Sequence, residues 1–170
     1  MDDALTEVLE GARVVGVMGG HDIPRGSGEY ADAATLGRGL ARAGLTVATG
    51  GGPGAMEAAN LGALSPTRAA LASALESLAA VPTFGPDIGA WASVALEVRD
   101  TLLATPGRPV DELVPRSIGI PTWFYGHEPT NQFATHIAKY FANSIREDGL
   151  LAIATRGVVF APGAAGTTQE

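Results

Sequence analysis

Two glycine-rich segments are the residues of this sequence best suited to hold a ligand. The first is Gly50-Gly51-Gly52-Pro53-Gly54, and the second runs from Pro162 to Glu170 as Pro-Gly-Ala-Ala-Gly-Thr-Thr-Gln-Glu. Phosphate oxygens bind backbone N–H groups that no Cβ atom shields, and a helix N-terminus adds a favourable dipole. Each segment follows an apolar run and leads to a predicted helix start. Both are therefore candidates for a phosphate site, although a tight turn without a ligand is the alternative for the first.

The second segment adds side chains that can contact more than a phosphate. Thr167 and Thr168 bring hydroxyl groups, and Glu170 lies three residues beyond Thr167, about one helical turn along. A carboxylate at that distance can reach the sugar of a nucleotide. Thr167 and Glu170 are also spaced as a helix-capping box, and the two interpretations are compatible.

The glycine spacing excludes two common nucleotide motifs. Position 55 is Ala, so the first segment does not match the dinucleotide fingerprint G-x-G-x-x-G. It also lacks the Gly-Lys-Ser/Thr of a P-loop, which makes an ATPase or an ordinary NAD enzyme a poor fit. His127 and His136 lack the spacing of metal ligands, so we predict neither a metal nor a cofactor.

The loop after the first predicted strand is a second place for ligand contacts. His21, Asp22 and Arg25 follow Gly19-Gly20, where open α/β sheets place ligands, although a plain polar loop fits equally well. Glu57 stands in the first turn of the next helix, where it can hold a ligand or complement the helix dipole. The aromatic residues Trp123-Phe124-Tyr125 fit a core or a subunit interface as well as a ligand contact.

The elements that must position these residues alternate along the chain. Predicted strands cover 13–18, 45–49, 117–120 and 157–161, the last of the fully buried kind. Predicted helices cover 29–43, 55–64, 67–80, 88–103, 131–145 and 150–155, and 105–116 has the composition of a loop. This order predicts one α/β domain over residues 1–170, a Rossmann-like three-layer fold with a mainly parallel sheet and helices on both faces. Because a helix should follow the last strand, we expect the domain to be incomplete at its C-terminus.

Composition narrows the partners. The net charge of −7 disfavours a broad grip on a nucleic acid polymer, although local backbone dipoles can still bind a small anion. The chain has no cysteine and no apolar run of the roughly 20 residues that span a membrane. Its first residues are acidic, unlike a signal peptide. We therefore expect a cytoplasmic protein that binds neither nucleic acid nor membrane.

The two segments together resemble a known family. Gly-Gly-Gly-Pro-Gly-Ala-Met-Glu-Ala-Ala at 50–59, followed by 162–170, is similar to the Lonely-Guy family, formerly called lysine decarboxylase-like. The family signature is PGGxGTxxE preceded by a GGGxxGxM loop, and the Gly-Pro-Gly-Ala-Met-Glu form resembles its longer bacterial members. The resemblance implies a homodimer that cleaves the N-glycosidic bond of a nucleoside 5′-monophosphate, giving free base and ribose 5-phosphate.

The resemblance also assigns roles to residues. Glu170 corresponds to the catalytic glutamate, and Arg146 lies within one residue of the family's arginine, with a solvated helix-surface charge as its alternative. Gly163, Gly166 and Thr167 correspond to the phosphate-binding loop. The full set of predicted nucleotide- or phosphate-binding residues is Gly19, Gly20, Gly51, Gly52, Gly54, Met56, Glu57, Gly163, Ala164, Gly166, Thr167 and Thr168.

One departure from the signature leaves a second function open. Ala164 replaces the second glycine of PGGxGT, and an added methyl group there costs about 1 kcal/mol if the residue must take a positive φ. The alternative function is therefore a nucleotide sensor or carrier without turnover. A pyridoxal-dependent decarboxylase fits poorly, because the chain has a single lysine, Lys139, in a predicted helix.

Overall fold

The structure is a computed structural model that describes residues 2–104, 117–123 and 128–163. Its helices are α1 (Asp2–Leu9), α2 (Gly28–Arg42), α3 (Ala55–Leu64), α4 (Arg68–Ala79), α5 (Ile88–Leu103) and α6 (Asn143–Ile153). Its strands are β1 (Val14–Met18), β2 (Thr46–Thr49), β3 (Ser117–Gly119), β4 (His136–Ile137) and β5 (Val158–Phe160). Within the described residues, no helix is both long and apolar enough to cross a membrane.

The five strands form one parallel sheet in the order β4-β3-β2-β1-β5. β1 lies between β2 and β5, with Val17 opposite Thr49 on one side and opposite Val159 on the other. Because parallel strands all end at the same edge, the segments that follow them meet there. The predicted Rossmann-like α/β fold is confirmed.

Side chains alternate between the two faces of the sheet and pack against different helices. Val14, Met18 and Ile118 form a core with residues of α1 and α6. Val17 and Val47 point the other way and pack against α2 and α3. This alternation, which follows from the period of two in a strand, gives the sheet a helical layer on each face.

Three of the helices begin at caps that the sequence supplies. Ser27, Thr67 and Asp87 each accept a hydrogen bond, 3.0–3.2 Å long, from the backbone N–H three residues later. Each of these side chains satisfies a donor that the first helical turn leaves unpaired, which fixes the starts of α2, α4 and α5. Helix α3 begins differently, at Gly54, where no side chain caps the first turn.

Helices α2 and α3 cross with almost no side chain between their backbones. A methyl group on Gly62 would overlap the carbonyl oxygen of Ala34 and lie 2.8 Å from the backbone nitrogen of Arg38. A methyl group on Gly37 would likewise overlap the carbonyl oxygen of Ala59. Only glycine fits at these two positions, so the pair is held at a closer distance than larger side chains permit.

The helix predicted for 131–145 is wrong. Residues 128–142 contain β4 and a bridge between Thr122 and Tyr140, and α6 begins only at Asn143. Here the side chains compete with helical backbone bonds, because Asn131 Oδ1 accepts from Phe133 N and Thr135 Oγ1 accepts from Ser117 N. The apolar residues at helical intervals therefore belong to an extended segment. The short helix predicted for 150–155 is the C-terminal part of α6.

The prediction that the last strand is fully buried is also wrong. β5 pairs only with β1 in the described sheet, its two valines are half-buried, and Phe160 is 50% exposed. An edge strand is covered less than a central one, although its apolar sequence reads the same. The predicted loop 105–116 lies outside the described residues.

Candidate functional site

Three glycine-containing turns converge at the carboxyl edge of the sheet. They follow β1 at Gly19-Gly20, β2 at Gly50 to Gly54, and β5 at Pro162-Gly163. The N–H of Gly20 donates to the carbonyl of Pro162 at 3.0 Å, and the N–H of Ala55 donates to the carbonyl of Gly20 at 3.1 Å. The structure thus brings Gly19, Gly20, Gly54 and Gly163 together, as the sequence predicts for turns that end neighbouring parallel strands.

Gly54 is the residue that allows the first two turns to touch. Its φ is +68°, a region that side chains rarely adopt, and a methyl group there would overlap the carbonyl oxygen of Gly20. Gly54 also starts α3, and since no side chain caps that turn, the positive end of the helix dipole faces the edge of the sheet. This geometry suits an anion.

A buried polar network fixes the backbone of the turn after β2. Thr49 Oγ1 donates to Asn60 Oδ1 at 2.7 Å and accepts from the N–H of Gly51 at 3.0 Å. Asn131 Nδ2 donates to the carbonyl of Gly52 at 3.0 Å, and Asn131 N donates to the carbonyl of Gly51 at 2.9 Å. Sequence reasoning missed this network because its members are distant along the chain, and it leaves the turn preformed.

Arg146 and Met56 surround Gly50. The Nη1 atom of Arg146 lies 2.5 Å, and the sulfur of Met56 2.9 Å, from the point where a Cβ on Gly50 would stand. Arg146 is only 8% exposed, and its Nη2 donates to Asn143 Oδ1 at 2.5 Å and lies 3.5 Å from Glu147 Oε1. The alternative of a solvated charge on the helix surface is therefore wrong for Arg146. The guanidinium stands at the glycine turn.

Glu128 lies at the same edge of the sheet, near Gly52 and His21, and was not predicted from the sequence. Its Oε2 lies 3.9 Å from the Cβ position of Gly52, and its Oε1 lies 3.4 Å from His21 Nε2. The available signal was its place in the polar segment after the third strand, where a parallel sheet directs side chains to the shared edge. The sequence analysis considered only the neighbouring histidine of that segment.

The charges around Glu128 act in opposite directions on its acidity. Partial burial raises the pKa of Glu128 above its ordinary value, and the nearby carboxylate of Asp22 raises it further. His21, when it is protonated, and Arg146 lower it without cancelling the effect of burial. Glu128 is therefore a carboxyl group that holds its proton to a higher pH than a solvated glutamate.

Glu57 and Arg25 form a closed ion pair behind the turns. Arg25 Nη2 and Nε donate to the two oxygens of Glu57 at 2.6 and 2.9 Å, and the hydroxyl of Tyr30 donates to Oε2 at 2.9 Å. The guanidinium also stacks over Trp91, 4.1 Å from the ring centroid, and donates to the Trp91 carbonyl at 3.0 Å. Burial raises the pKa of Glu57, while the hydrogen bonds and charge of Arg25 oppose that shift.

This closed pair changes the expectation for two predicted residues. Both side chains are about 1% exposed, and both oxygens of Glu57 already accept hydrogen bonds. The role of Glu57 as a ligand contact stays a prediction, since a ligand would have to displace one of these bonds. Arg25, which stands in a loop expected either to contact a ligand or to be plain polar surface, is 3% exposed and lines a cavity with Gly54 and Glu57. The surface alternative is therefore wrong for Arg25, and its contact with a ligand stays a prediction.

Several predicted residues lie outside the described part of the chain. They are Phe124, Tyr125, His127, Ala164, Gly166, Thr167, Thr168 and Glu170. Of the remaining candidates, Trp123 is 57% exposed and stacks against Phe141 with ring centroids 6.2 Å apart. His136 lies exposed on β4, away from the glycine turns, with its Nδ1 3.0 Å from Thr135 Oγ1. Among residues 2–104, 117–123 and 128–163, no three His, Asp or Glu side chains cluster as metal ligands.

Comparisons with known proteins agree with this fold. Residues 12–69, which contain the turns after β1 and β2, match the model of the SLOG cluster4 family. This match points to the SLOG superfamily and does not single out the Lonely-Guy family. No curated protein matches the chain in sequence.

A solved structure shares the architecture. It is the molybdenum cofactor binding protein from the phototrophic bacterium Rippkaea orientalis, with a TM-score of 0.50 and 17% identity. The likeness covers 93% of this chain and 67% of that one. At this identity it shows the fold alone.

Proposed function

We propose that this chain binds a nucleoside 5′-monophosphate at the carboxyl edge of its sheet and hydrolyses the N-glycosidic bond of that ligand. The observation that carries the proposal is the convergence of the glycine turns after β1, β2 and β5, with the guanidinium of Arg146 beside Gly50. Backbone N–H groups and the α3 dipole suit a monoester dianion, and the preformed turn lowers the cost of ordering on binding.

The local charge makes this ligand class reasonable despite a net charge of −7. Arginine stays ionised at all relevant pH values and matches phosphate oxygens with two parallel N–H groups. Long-range repulsion from the acidic surface is screened within about 8 Å at physiological salt, so the near field of Arg146 and the turns dominates. A free small anion is thus accepted where a polyanion is disfavoured.

Hydrolysis is the finer part of the proposal, supported by the resemblance of 162–170 to the PGGxGTxxE signature. Breaking the bond between C1′ and the base nitrogen builds positive charge on the ribose, and a carboxylate stabilises that charge and directs water to C1′. By the resemblance this carboxylate is Glu170. A homodimer and a cytoplasmic location are likewise expectations that the resemblance and composition supply.

The test compares nucleotides with ligands that lack one part. Calorimetry with AMP, GMP, CMP and UMP measures affinity, and chromatography of the same mixtures measures free base. Ribose 5-phosphate should bind more weakly than the preferred nucleotide, and the corresponding nucleoside should bind at least tenfold more weakly because the phosphate anchors the ligand. Equal affinity for nucleoside and nucleotide would contradict a phosphate site at the turns.

Binding without turnover is the second candidate, and Ala164 is the observation that favours it. At Ala164 a methyl group stands where the signature has its second glycine, and it would narrow the space for a phosphate if that residue contacts the ligand. The structural neighbour from Rippkaea orientalis is itself described as a molybdenum cofactor binding protein, so a protein of this fold is known by what it binds. Nucleotide binding with no base released from any of the four monophosphates would select this candidate.

A further inference from the structure

Glu128 is a carboxyl group at the glycine turns, distinct from the Glu170 of the signature. Glu128 belongs to the segment after β3 and lies near both Gly52, in the turn after β2, and His21, in the loop after β1. It therefore lies at the same edge of the sheet as the glycine turns. Its side chain is 20% exposed, which leaves it accessible to a ligand and partly shielded from water. Arg146 acts electrostatically on it from the side of α6.

Hydrolysis of an N-glycosidic bond needs a proton donor as well as a stabilising carboxylate. When the C1′–N bond breaks, its electron pair leaves with the base, and a base that departs unprotonated is a poor leaving group. Paired carboxyl groups solve this problem when one is kept protonated and the other ionised. Arg146 is always charged at working pH and cannot give up a proton, so it is unsuited to the donor role.

We propose that Glu128 is the general acid of the hydrolysis proposed above, and that it protonates the departing base. In this step the C1′–N electron pair goes to the base, and the carboxyl proton of Glu128 goes to a ring nitrogen of the base. Water adds to C1′ and gives its proton to the second carboxylate, Glu170 by the resemblance. The products are the neutral base and ribose 5-phosphate.

The surroundings of Glu128 suit an acid that is reprotonated in each cycle. Burial and Asp22 raise its pKa, and His21 and Arg146 oppose that rise, so three charged neighbours act on the proton in addition to burial. His21, 44% exposed at its side chain, lies 3.4 Å from the carboxyl group and is open to water. It is also the competing proton donor, which the test must separate.

The test uses two substrates that differ in their need for a proton. GMP requires an acid to release guanine, whereas the base of 7-methylguanosine 5′-monophosphate already carries a positive ring charge and departs unaided. For Glu128→Gln, kcat on GMP should fall by about 10²-fold or more, while kcat on the methylated nucleotide should change by less than about threefold. Glu97→Gln, an exposed glutamate on α5, is the matched control and should leave both rates unchanged.

Additional variants and a pH profile test the assignment of Glu128 independently. Thermal melts monitored by circular dichroism verify that each variant folds, and Glu128→Asp, which keeps the acid but shortens it, should restore part of the GMP rate. In the wild-type chain, kcat on GMP should fall as the pH rises through the pKa of Glu128, and the methylated nucleotide should lack that fall.

The outcomes distinguish the acid role from the proposed function. Equal losses on the two substrates mean that Glu128 only supports the site, and the assignment is then wrong while hydrolysis stands. Selective loss of the GMP rate in His21→Asn, with Glu128→Gln unaffected, transfers the role to His21. If the wild-type chain releases base from neither substrate, hydrolysis itself is refuted, and the acid role is refuted with it.

Discussion

Two clusters of charge lie on the same edge of the sheet and differ in what they leave available. The inner pair, Arg25 and Glu57, is about 1% exposed, and its hydrogen bonds close on each other, on Tyr30 and on the Trp91 carbonyl. The outer cluster, His21, Glu128 and Arg146, is spread over three segments, with His21 and Glu128 held at 3.4 Å and partly open to water. A charged residue near a predicted site is therefore not necessarily available to a ligand.

The distinction rests on desolvation. A buried pair must satisfy its own hydrogen-bonding groups, since water no longer can, and it then has little capacity for a ligand. The partly exposed side chains of His21 and Glu128 can exchange water for a ligand at low cost, whereas Arg146, 8% exposed, stands at the glycine turn. We therefore expect the inner pair to contribute to the stability of the fold. Under the function proposed above, we expect the outer cluster to contact the ligand.

The largest expected effect is on the inner pair. Glu57→Gln leaves the Arg25 guanidinium buried without an anion, and we expect the free energy of unfolding to fall by about 3–5 kcal/mol. Urea denaturation followed by circular dichroism measures this change, with Glu97→Gln as the exposed control at less than about 0.5 kcal/mol. If Glu57→Gln lowers the free energy of unfolding by less than about 1 kcal/mol, the pair contributes no more than a surface ion pair. That result would contradict the contrast between the two clusters.

The next effect concerns affinity rather than stability. Arg146→Ala removes the guanidinium beside Gly50, and hydrogen bonds to charged groups are worth about 1.5–3 kcal/mol, so GMP affinity should fall about 10- to 100-fold. Arg68→Ala, an exposed arginine at the start of α4, should bind GMP as the wild type does. Calorimetry measures both. Unchanged GMP affinity in a folded Arg146→Ala variant would remove this residue from the site.

A smaller effect concerns the pH dependence of anion affinity. When Glu128 loses its proton, a negative charge appears beside the anion, and at about 4 Å in water this costs about 1 kcal/mol, or roughly fivefold in affinity. Sulfate is the probe because its own charge is constant over this range. Its affinity should fall as the pH rises through the pKa of Glu128, and Glu128→Gln should abolish that fall. A fall that persists in Glu128→Gln would assign the titration to His21.

The smallest effect is on the pH dependence of stability. Because the folded-state pKa of Glu128 lies above its ordinary value of 4.5, the folded chain binds more protons between those two pH values. The contribution of Glu128 to stability is therefore present in acid and is lost as the pH rises through the folded pKa. Glu128→Gln should match the wild type in acid and exceed it at neutral pH by less than about 1 kcal/mol, as thermal melts at several pH values can show. A variant less stable than the wild type at neutral pH would mean that the attraction of His21 and Arg146 outweighs burial.

Most of the helices and strands in the first half of the chain could be predicted from the sequence. Helices α3 and α5 begin and end at the predicted residues 55–64 and 88–103, because each begins and ends next to a clear breaker or cap. The three described turns that end parallel strands meet as predicted, since the topology alone sends them to one edge. The resemblance proposed Arg146 as a site residue, and its role there stays a prediction.

The remaining features depend on contacts between distant residues. The helix predicted over 131–145 fails because Asn131 and Thr135 bind backbone groups of other segments, and no local pattern reports those partners. For Glu57 the sequence left a ligand contact and a dipole contact open, and it could not show the hydrogen bonds from Arg25, which lies 32 residues away. Glu128 carries no periodic or motif signal, and only the course of the chain after β3 brings it beside His21.

The crossing of α2 and α3 also bears on the position of the glycine turns. Because backbone meets backbone at Gly37 and Gly62, a methyl group at either position would push the two helices apart. Since α3 begins beside Gly54, such a displacement would shift the turn that Gly54 shares with Gly20. Under the function proposed above, a substitution at Gly37 or Gly62 would therefore weaken ligand binding without touching the ligand.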